Sequence, residues 1–273
     1  MNEFIWNSKK ISYIEQGQGL PVVLLHGYLE TKEVWNGFAQ RIATHYRVII
    51  PDIPGHGSSE VLSETHSMEL MAQAIHALLQ SRSIKKCVLV GHSMGGYVML
   101  AFAQLFPENV AGLVLLHSSV YADTEEKKKS RLQEIDMIEK GRLNQIIANH
   151  LPKTFASENL TRFQPILDEM NQRALRHDTK GVCALIRGMM ERPDRQELIR
   201  NFSKPMLFIF GKKDNFISVD AAERMLLLNA KIQSEWLYNS GHMGFMEEPD
   251  EAIATIESFM NNSFSEINKN KKS

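Results

Sequence analysis

Gly91-His92-Ser93-Met94-Gly95 sets a serine between two glycines, directly after the apolar run Val88-Leu89-Val90 and directly before an apolar helical pattern. A serine hydroxyl is a poor nucleophile until a base removes its proton and donors hold the oxyanion that results. A sharp strand-to-helix turn supplies part of that setting. It presents the hydroxyl at the carboxyl end of the strand, in a strained backbone conformation, beside the free N–H groups of a helix N-terminus. Glycine is required at 91 and 95 because a side chain there would collide in so tight a packing. Such a turn can also serve close packing alone or cradle a phosphate. The strand before it and the helix after it select the reading of Ser93 as a nucleophile.

The elements that must hold this turn are legible on either side. Phe4-Ile5-Trp6 and Ile11-Ser12-Tyr13-Ile14 read as two short strands joined by a polar turn. Val22-Val23-Leu24-Leu25, Val48-Ile49-Ile50, Val88-Leu89-Val90 and Leu113-Val114-Leu115-Leu116 are continuous apolar runs. Continuous rather than alternating hydrophobicity fits strands covered on both faces. Residues 68–80 carry Leu70, Met71, Ala74, Ile75, Leu78 and Leu79 at helical spacing, with Ser67 placed to cap them. Residues 94–106 form a second helix, stopped by Pro107. Later come a strand at 206–210, a helix at 220–228, a strand at 235–237 and a closing helix at 253–260 started near Pro249. This rhythm predicts an α/β fold with a doubly wound, mostly parallel sheet. Residues 121–200 contain no strand-like run, only charged helical patterns broken at Gly141, Pro152 and Pro193. They read as a helical cap inserted into a core formed by residues 1–120 and 201–273. The polar tail from Asn261 onward reads as a frayed terminus.

Composition narrows the partners. The chain has 273 residues, 43% hydrophobic and 23% charged, with a net charge of -1, which gives no pull toward nucleic acid or anionic membranes. No apolar run approaches the roughly 20 residues of a membrane span, and the first ten residues lack the pattern of a secretory signal. Cys87 and Cys183 have no framework spacing and read as free thiols of a reducing cytoplasm. No cluster has metal-ligand spacing, so neither metal nor cofactor is expected. A small molecule is the remaining partner.

Together these motifs resemble the α/β-hydrolase superfamily over nearly the whole chain. The resemblance rests on Leu24-Leu25-His26-Gly27-Tyr28, Asp52-Ile53-Pro54-Gly55-His56-Gly57-Ser58, the turn around Ser93, Gly211-Lys212-Lys213-Asp214 and Gly241-His242-Met243, in that order. It implies a triad in the order nucleophile, acid, base: Ser93, Asp214, His242. Asp214 follows the strand at 206–210 and so lies at the same sheet edge as Ser93, although an aspartate there can also bond its own turn. Asp220 is better placed to start the next helix. His242 follows the last strand, where an imidazole could exchange the Ser93 proton while Asp214 fixes its tautomer. The backbone N–H groups of Met94 and, by resemblance, Tyr28 are the expected oxyanion donors. His26, His56 and His92 read as structural.

A serine at the turn disfavours the relatives that use aspartate there, haloalkane dehalogenases and epoxide hydrolases. The remaining serine relatives make a carboxylesterase of small apolar esters the expected activity. A C–C bond hydrolase or lyase with the same triad is the alternative within the class, and a slow-turnover ligand-binding or signalling member the alternative outside it. Phe155, Leu185, Ile186, Met189, Met190, Trp35 and Phe245 are candidate apolar lining, with cap-to-core packing the competing reading for each. Arg187 and Arg192 read as solvated rather than as carboxylate ligands.

Overall fold

The computed structural model describes the backbone of residues 2–270 and the side-chain surroundings of residues 2–264. An opening hairpin, β1 (Asn2–Trp6) and β2 (Lys9–Gln16), is followed by β3 (Leu20–Leu25), β4 (Tyr46–Pro51), β5 (Cys87–His92), β6 (Val110–Leu116), β7 (Met206–Gly211) and β8 (Ile232–Leu237). All eight join one sheet in the order β1-β2-β4-β3-β5-β6-β7-β8. β2 pairs antiparallel with β1 and with β4, and every neighbouring pair from β4 to β8 is parallel. The continuous apolar runs are explained by position. β5, β6 and β7 are buried at every residue, whereas the edge strands β1 and β8 are mostly exposed or half-buried.

Helices α1 (Asn36–Ile42), α2 (Met68–Ser81) and α3 (Met94–Leu105) come from the first half of the chain. Between β6 and β7 lie α4 (Glu125–Glu139), α5 (Leu143–His150), α6 (Leu160–Ala174), α7 (Thr179–Glu191) and α8 (Gln196–Asn201), with no strand among them. The chain closes with α9 (Val219–Leu226), α10 (Gly244–Glu247) and α11 (Pro249–Asn270). Ser67 caps α2, its hydroxyl accepting from Leu70 N at 3.1 Å. Ser218 caps α9, which leaves Asp220 in the first turn, paired with Arg224. Gly112 on β6 faces Phe259 of α11, while Leu115, on the other side of the strand by alternation, faces Gly96 of α3. The sheet is therefore covered on both faces. Among the described residues no helix is long and apolar enough to cross a membrane.

Helix α1 and the closing helix differ from the sequence reading. Helix α1 is short and was not marked by any long periodic pattern. The closing helix does not end at Met260 but continues to Asn270. The reason is tertiary: the Tyr46 hydroxyl donates to Asn261 Oδ1 at 2.7 Å, and Phe264, 4% exposed, stacks on the Tyr46 ring. Docking of those residues overrides the polar character of the segment. Lys271 and Lys272 of the basic tail lie outside the described residues.

The loops after β3 and β4 are locked together by a charge. Lys32 Nζ lies 2.5 Å from Asp52 Oδ2, with 1% and 0% of the two side chains exposed. Asp52 also accepts from Lys32 N and Ser58 N, both at 2.9 Å. Lys32→Met should leave that carboxylate buried without its cation, at a cost of about 3–5 kcal/mol. Thermal melting would show it as a large drop in Tm; an unchanged Tm would mean that the backbone donors alone hold Asp52.

Candidate active site

The turn after β5 takes the strained form its sequence predicts. Ser93 has φ 51° and ψ −119°, a conformation that costs roughly 1–3 kcal/mol for a non-glycine residue. Hydrogen bonds on both of its peptide groups hold it there: Ser93 N donates to Leu116 O at 3.0 Å, and Ser93 O accepts from Ser118 Oγ at 2.6 Å and Gly96 N at 2.9 Å. The flanking glycines are sterically required. A Cβ at Gly91 would lie 2.6 Å from Gly96 Cα, and one at Gly95 would lie 2.3 Å from Leu25 O.

Asp214, in the turn after β7, bonds both its own turn and an imidazole. Its Oδ1 accepts from Phe216 N at 2.7 Å and Ile217 N at 3.0 Å, shaping its own turn. Its Oδ2 lies 2.8 Å from His242 Nδ1 and 3.3 Å from His117 Nδ1. Burial alone would raise its pKa. His242 and His117 together outweigh burial and hold the carboxyl well below the usual carboxylate range. An ionised carboxylate can only accept, so Nδ1 of His242 carries the hydrogen and Nε2 is left as its acceptor. His117, His242 and Asp214 offer donor atoms within 4.8 Å of one another. Asp214 thus accepts from two backbone N–H groups and the His242 imidazole, with the His117 ring beside them.

The backbone around His242 is pinned from two directions. His242 N donates to Thr154 O at 2.7 Å, and His92 Nε2 lies 2.9 Å from His242 O. His92 Nδ1 in turn meets Glu30 Oε2 at 3.1 Å, and the same oxygen accepts from Gly27 N at 2.6 Å. Burial disfavours the charged form of His92, but Glu30 prevails and raises its pKa. His26 and His56 accept from Ile53 N at 2.9 Å and Leu29 N at 3.2 Å and so brace the loops after β3 and β4.

A cavity of about 270 Å³ opens above these strands, and Tyr28, Ser93, Met94 and His242 all line it, with Asp214 buried behind His242. A larger groove of about 800 Å³ runs beside Val61, Thr65 and Cys183, but none of the five sequence-predicted residues lines it. The expected apolar lining is mostly absent from the cavity. Only Met189 of the seven candidates reaches it. Trp35 stacks on Phe245 at 4.4 Å and Phe155 on Phe163 at 5.3 Å, so these rings serve packing. In their place stand Tyr97, His150 and Phe216, together with Asp123, Lys127, Arg131, Glu134 and Arg192. Arg192 is not a solvated arginine: it is 7% exposed and pairs with Asp123 Oδ1 at 2.7 Å. Arg187 is half-buried and meets Glu139 at 3.1 Å, away from this cavity.

Sequence reasoning missed the charged group because α4 has few apolar positions, and its charges read as a solvated face. His117 was missed for a different reason. It follows β6, and only the pairing of β6 with β7 brings it to Asp214. Its place directly after an apolar strand was the available signal.

Residues 21–249 match the family model for the alpha/beta hydrolase fold, well over half of the 273 residues. The chain belongs to the α/β-hydrolase fold family. This hydrolase is similar to a pimeloyl-[acyl-carrier protein] methyl ester esterase of Aeromonas hydrophila, 26% identical over 255 residues that span 89% of this chain and 96% of that protein. It is also similar to a 2-hydroxy-6-oxo-6-(2'-aminophenyl)hexa-2,4-dienoic acid hydrolase of Metapseudomonas resinovorans, 26% identical over 91% of this chain and 86% of that protein. Among solved structures, a thermophilic esterase from Thermogutta terrifontis in malate-bound form superposes with a TM-score of 0.90 at 28% identity, covering 93% of this chain and 94% of that one. Esterases and a dienoic acid hydrolase are thus among the hydrolases this enzyme is similar to.

Proposed function

We propose that the enzyme hydrolyses carboxylic esters through an acyl-enzyme on Ser93. The 2.8 Å bond between His242 Nδ1 and Asp214 Oδ2, at the sheet edge that also presents a strained Ser93, carries this reading. His242 Nε2 takes the Ser93 proton as Oγ attacks the ester carbonyl, and Asp214 stabilises the imidazolium. The N–H groups of Met94, at the start of α3, and Tyr28 receive the oxyanion. His242 returns the proton to the departing alcohol, and water then attacks the acyl-enzyme with His242 again as base. In this reading residues 121–200 act as the cap, since the insertion contributes Lys127, His150, Met189 and Arg192 to the cavity wall.

The test is a panel of p-nitrophenyl esters of increasing acyl length with the purified full chain. A cavity of about 270 Å³ lies just below the ordinary range for ligand pockets, about 300–1,000 Å³. Turnover should therefore be greatest for short acyl groups and fall steeply with length. Turnover no faster than that of the Ser93→Ala variant across the panel would overturn the ester reading and favour C–C bond cleavage by the same triad.

A further inference from the structure

The cavity beside Ser93 holds more cations than anions can balance. Arg131 Nε pairs with Asp123 Oδ2, and Arg192 Nη1 lies 2.7 Å from Asp123 Oδ1. One carboxylate between two guanidiniums leaves a positive charge over, and Lys127, exposed at the rim, adds another. Glu134 is the remaining anion in the wall. Its Oε2 is buried with no hydrogen-bond partner, and burial raises its carboxyl pKa even with Arg131 and Lys127 nearby. The balance thus stays positive whether Glu134 is ionised or protonated. His150 adds no charge, because burial and then His242 push its imidazole down to about 3.

Two donors in the wall are also stranded. Tyr28 Oη and Arg192 Nε are buried with no hydrogen-bond partner, in side chains 6% and 7% exposed. Burying a donor without a partner is unfavourable unless something else offsets it, and a bound anion would offset it. From this positive region an aromatic wall leads back to His242. Tyr28 meets His150 at 5.2 Å, His150 meets Phe216 at 5.1 Å and Phe216 meets His242 at 4.8 Å. A short apolar spacer could lie along those rings.

We propose that the substrate is an ester bearing a carboxylate a few carbons from the scissile bond, with its anion held by Lys127, Arg131 and Arg192. The proposal rests on the ester-hydrolase reading and specifies its substrate class. Guanidinium and ammonium bonds to carboxylate are charge-assisted and directional, so they would fix the substrate's orientation as well as its charge.

The experiment compares monoethyl succinate, glutarate and adipate with isosteric ethyl keto-esters in which a methyl ketone replaces the carboxylate. Reversed esters with the carboxylate on the alcohol are run alongside, and proton release is followed at constant pH. The best carboxylate ester should exceed its neutral counterpart in kcat/KM by about tenfold or more, the factor a charge-assisted bond carries. Lys127→Met should reduce that ratio toward one. Its backbone N–H cap on Thr124 is untouched, so α4 should still form; Arg192→Met provides a second variant. Neutral esters turned over as fast as every carboxylate ester would overturn the anion site and leave the ester reading standing. Turnover of neither kind, with Ser93 still labelled by a fluorophosphonate, would overturn both.

Discussion

Ser93→Ala should abolish labelling by a fluorophosphonate and lower kcat on the best ester by roughly 10⁴ to 10⁶, the loss seen when a triad nucleophile is removed. The substitution isolates the hydroxyl. Both backbone groups of residue 93 keep their bonds to Leu116, Gly96 and Ser118, and alanine pays the same backbone strain at φ 51° that serine does. Stability should therefore stay within about 0.5 kcal/mol of the parent, as for substitutions that break no packing or network. A loss of turnover accompanied by an unchanged Tm assigns the effect to chemistry. Labelling that persists in folded Ser93→Ala protein would place the nucleophile elsewhere. Asp214→Asn should preserve labelling at a much reduced rate, because the amide can hold the wrong imidazole tautomer.

Acid should unfold this protein over an unusually accessible range. Burial pushes the imidazoles of His117 and His177 down to about 4 each, against an unfolded value near 6.5. Between those values the unfolded chain binds the more protons, so stability is complete above about pH 6.5 and is lost as pH falls toward 4. Each group contributes roughly 3 kcal/mol of loss across that window, at 1.36 kcal/mol per unit. That is large against a total of about 5–15 kcal/mol. Burial also lowers His26, His56 and His66. His92 acts in the opposite sense: its raised pKa stabilises the fold below its unfolded value and partly offsets the others. Asp214, held low, matters only below the unfolded carboxyl value of about 3.9. Melting between pH 7.5 and 4.5 should show a flat Tm above neutrality and a steep fall below pH 6. His177→Gln can still accept from Gly57 N, the 3.2 Å bond its Nδ1 now makes, and should flatten that fall. Equal Tm values at pH 7.5 and 5 would refute the assignment.

What the sequence discloses here follows the range over which each signal acts. The turn around Ser93 is local: two glycines, a strand and a helix within ten residues fix its geometry, and the structure reproduces it. The parallel strands announce themselves because burial on both faces leaves no polar position to interrupt them. Asp214 and His242 become legible through order along the chain, and the sheet does bring them to 2.8 Å. The cavity wall depends instead on side chains distant in sequence. Arg131 and Arg192 are sixty-one positions apart and converge on Asp123 only because α4 packs on α7. Helical spacing could not separate them from charges facing water. The continuation of α11 past Met260 was hidden for the same reason, since Asn261 and Phe264 dock on Tyr46, distant in sequence.

The tie between Thr154 and His242 has a consequence for anyone recombining such enzymes. Glu247 accepts from Ala156 N and Gly241 N, both at 2.8 Å, so the stretch ending α5's neighbourhood and the loop carrying His242 share one carboxylate as well as the bond to Thr154 O. The segment between β6 and β7 is consequently fastened to the loop that carries His242. A chimera that imports another protein's segment between β6 and β7 must retain residues 154–156 or rebuild their donors and acceptor. Otherwise it would change the aim of the imidazole along with the shape of the pocket.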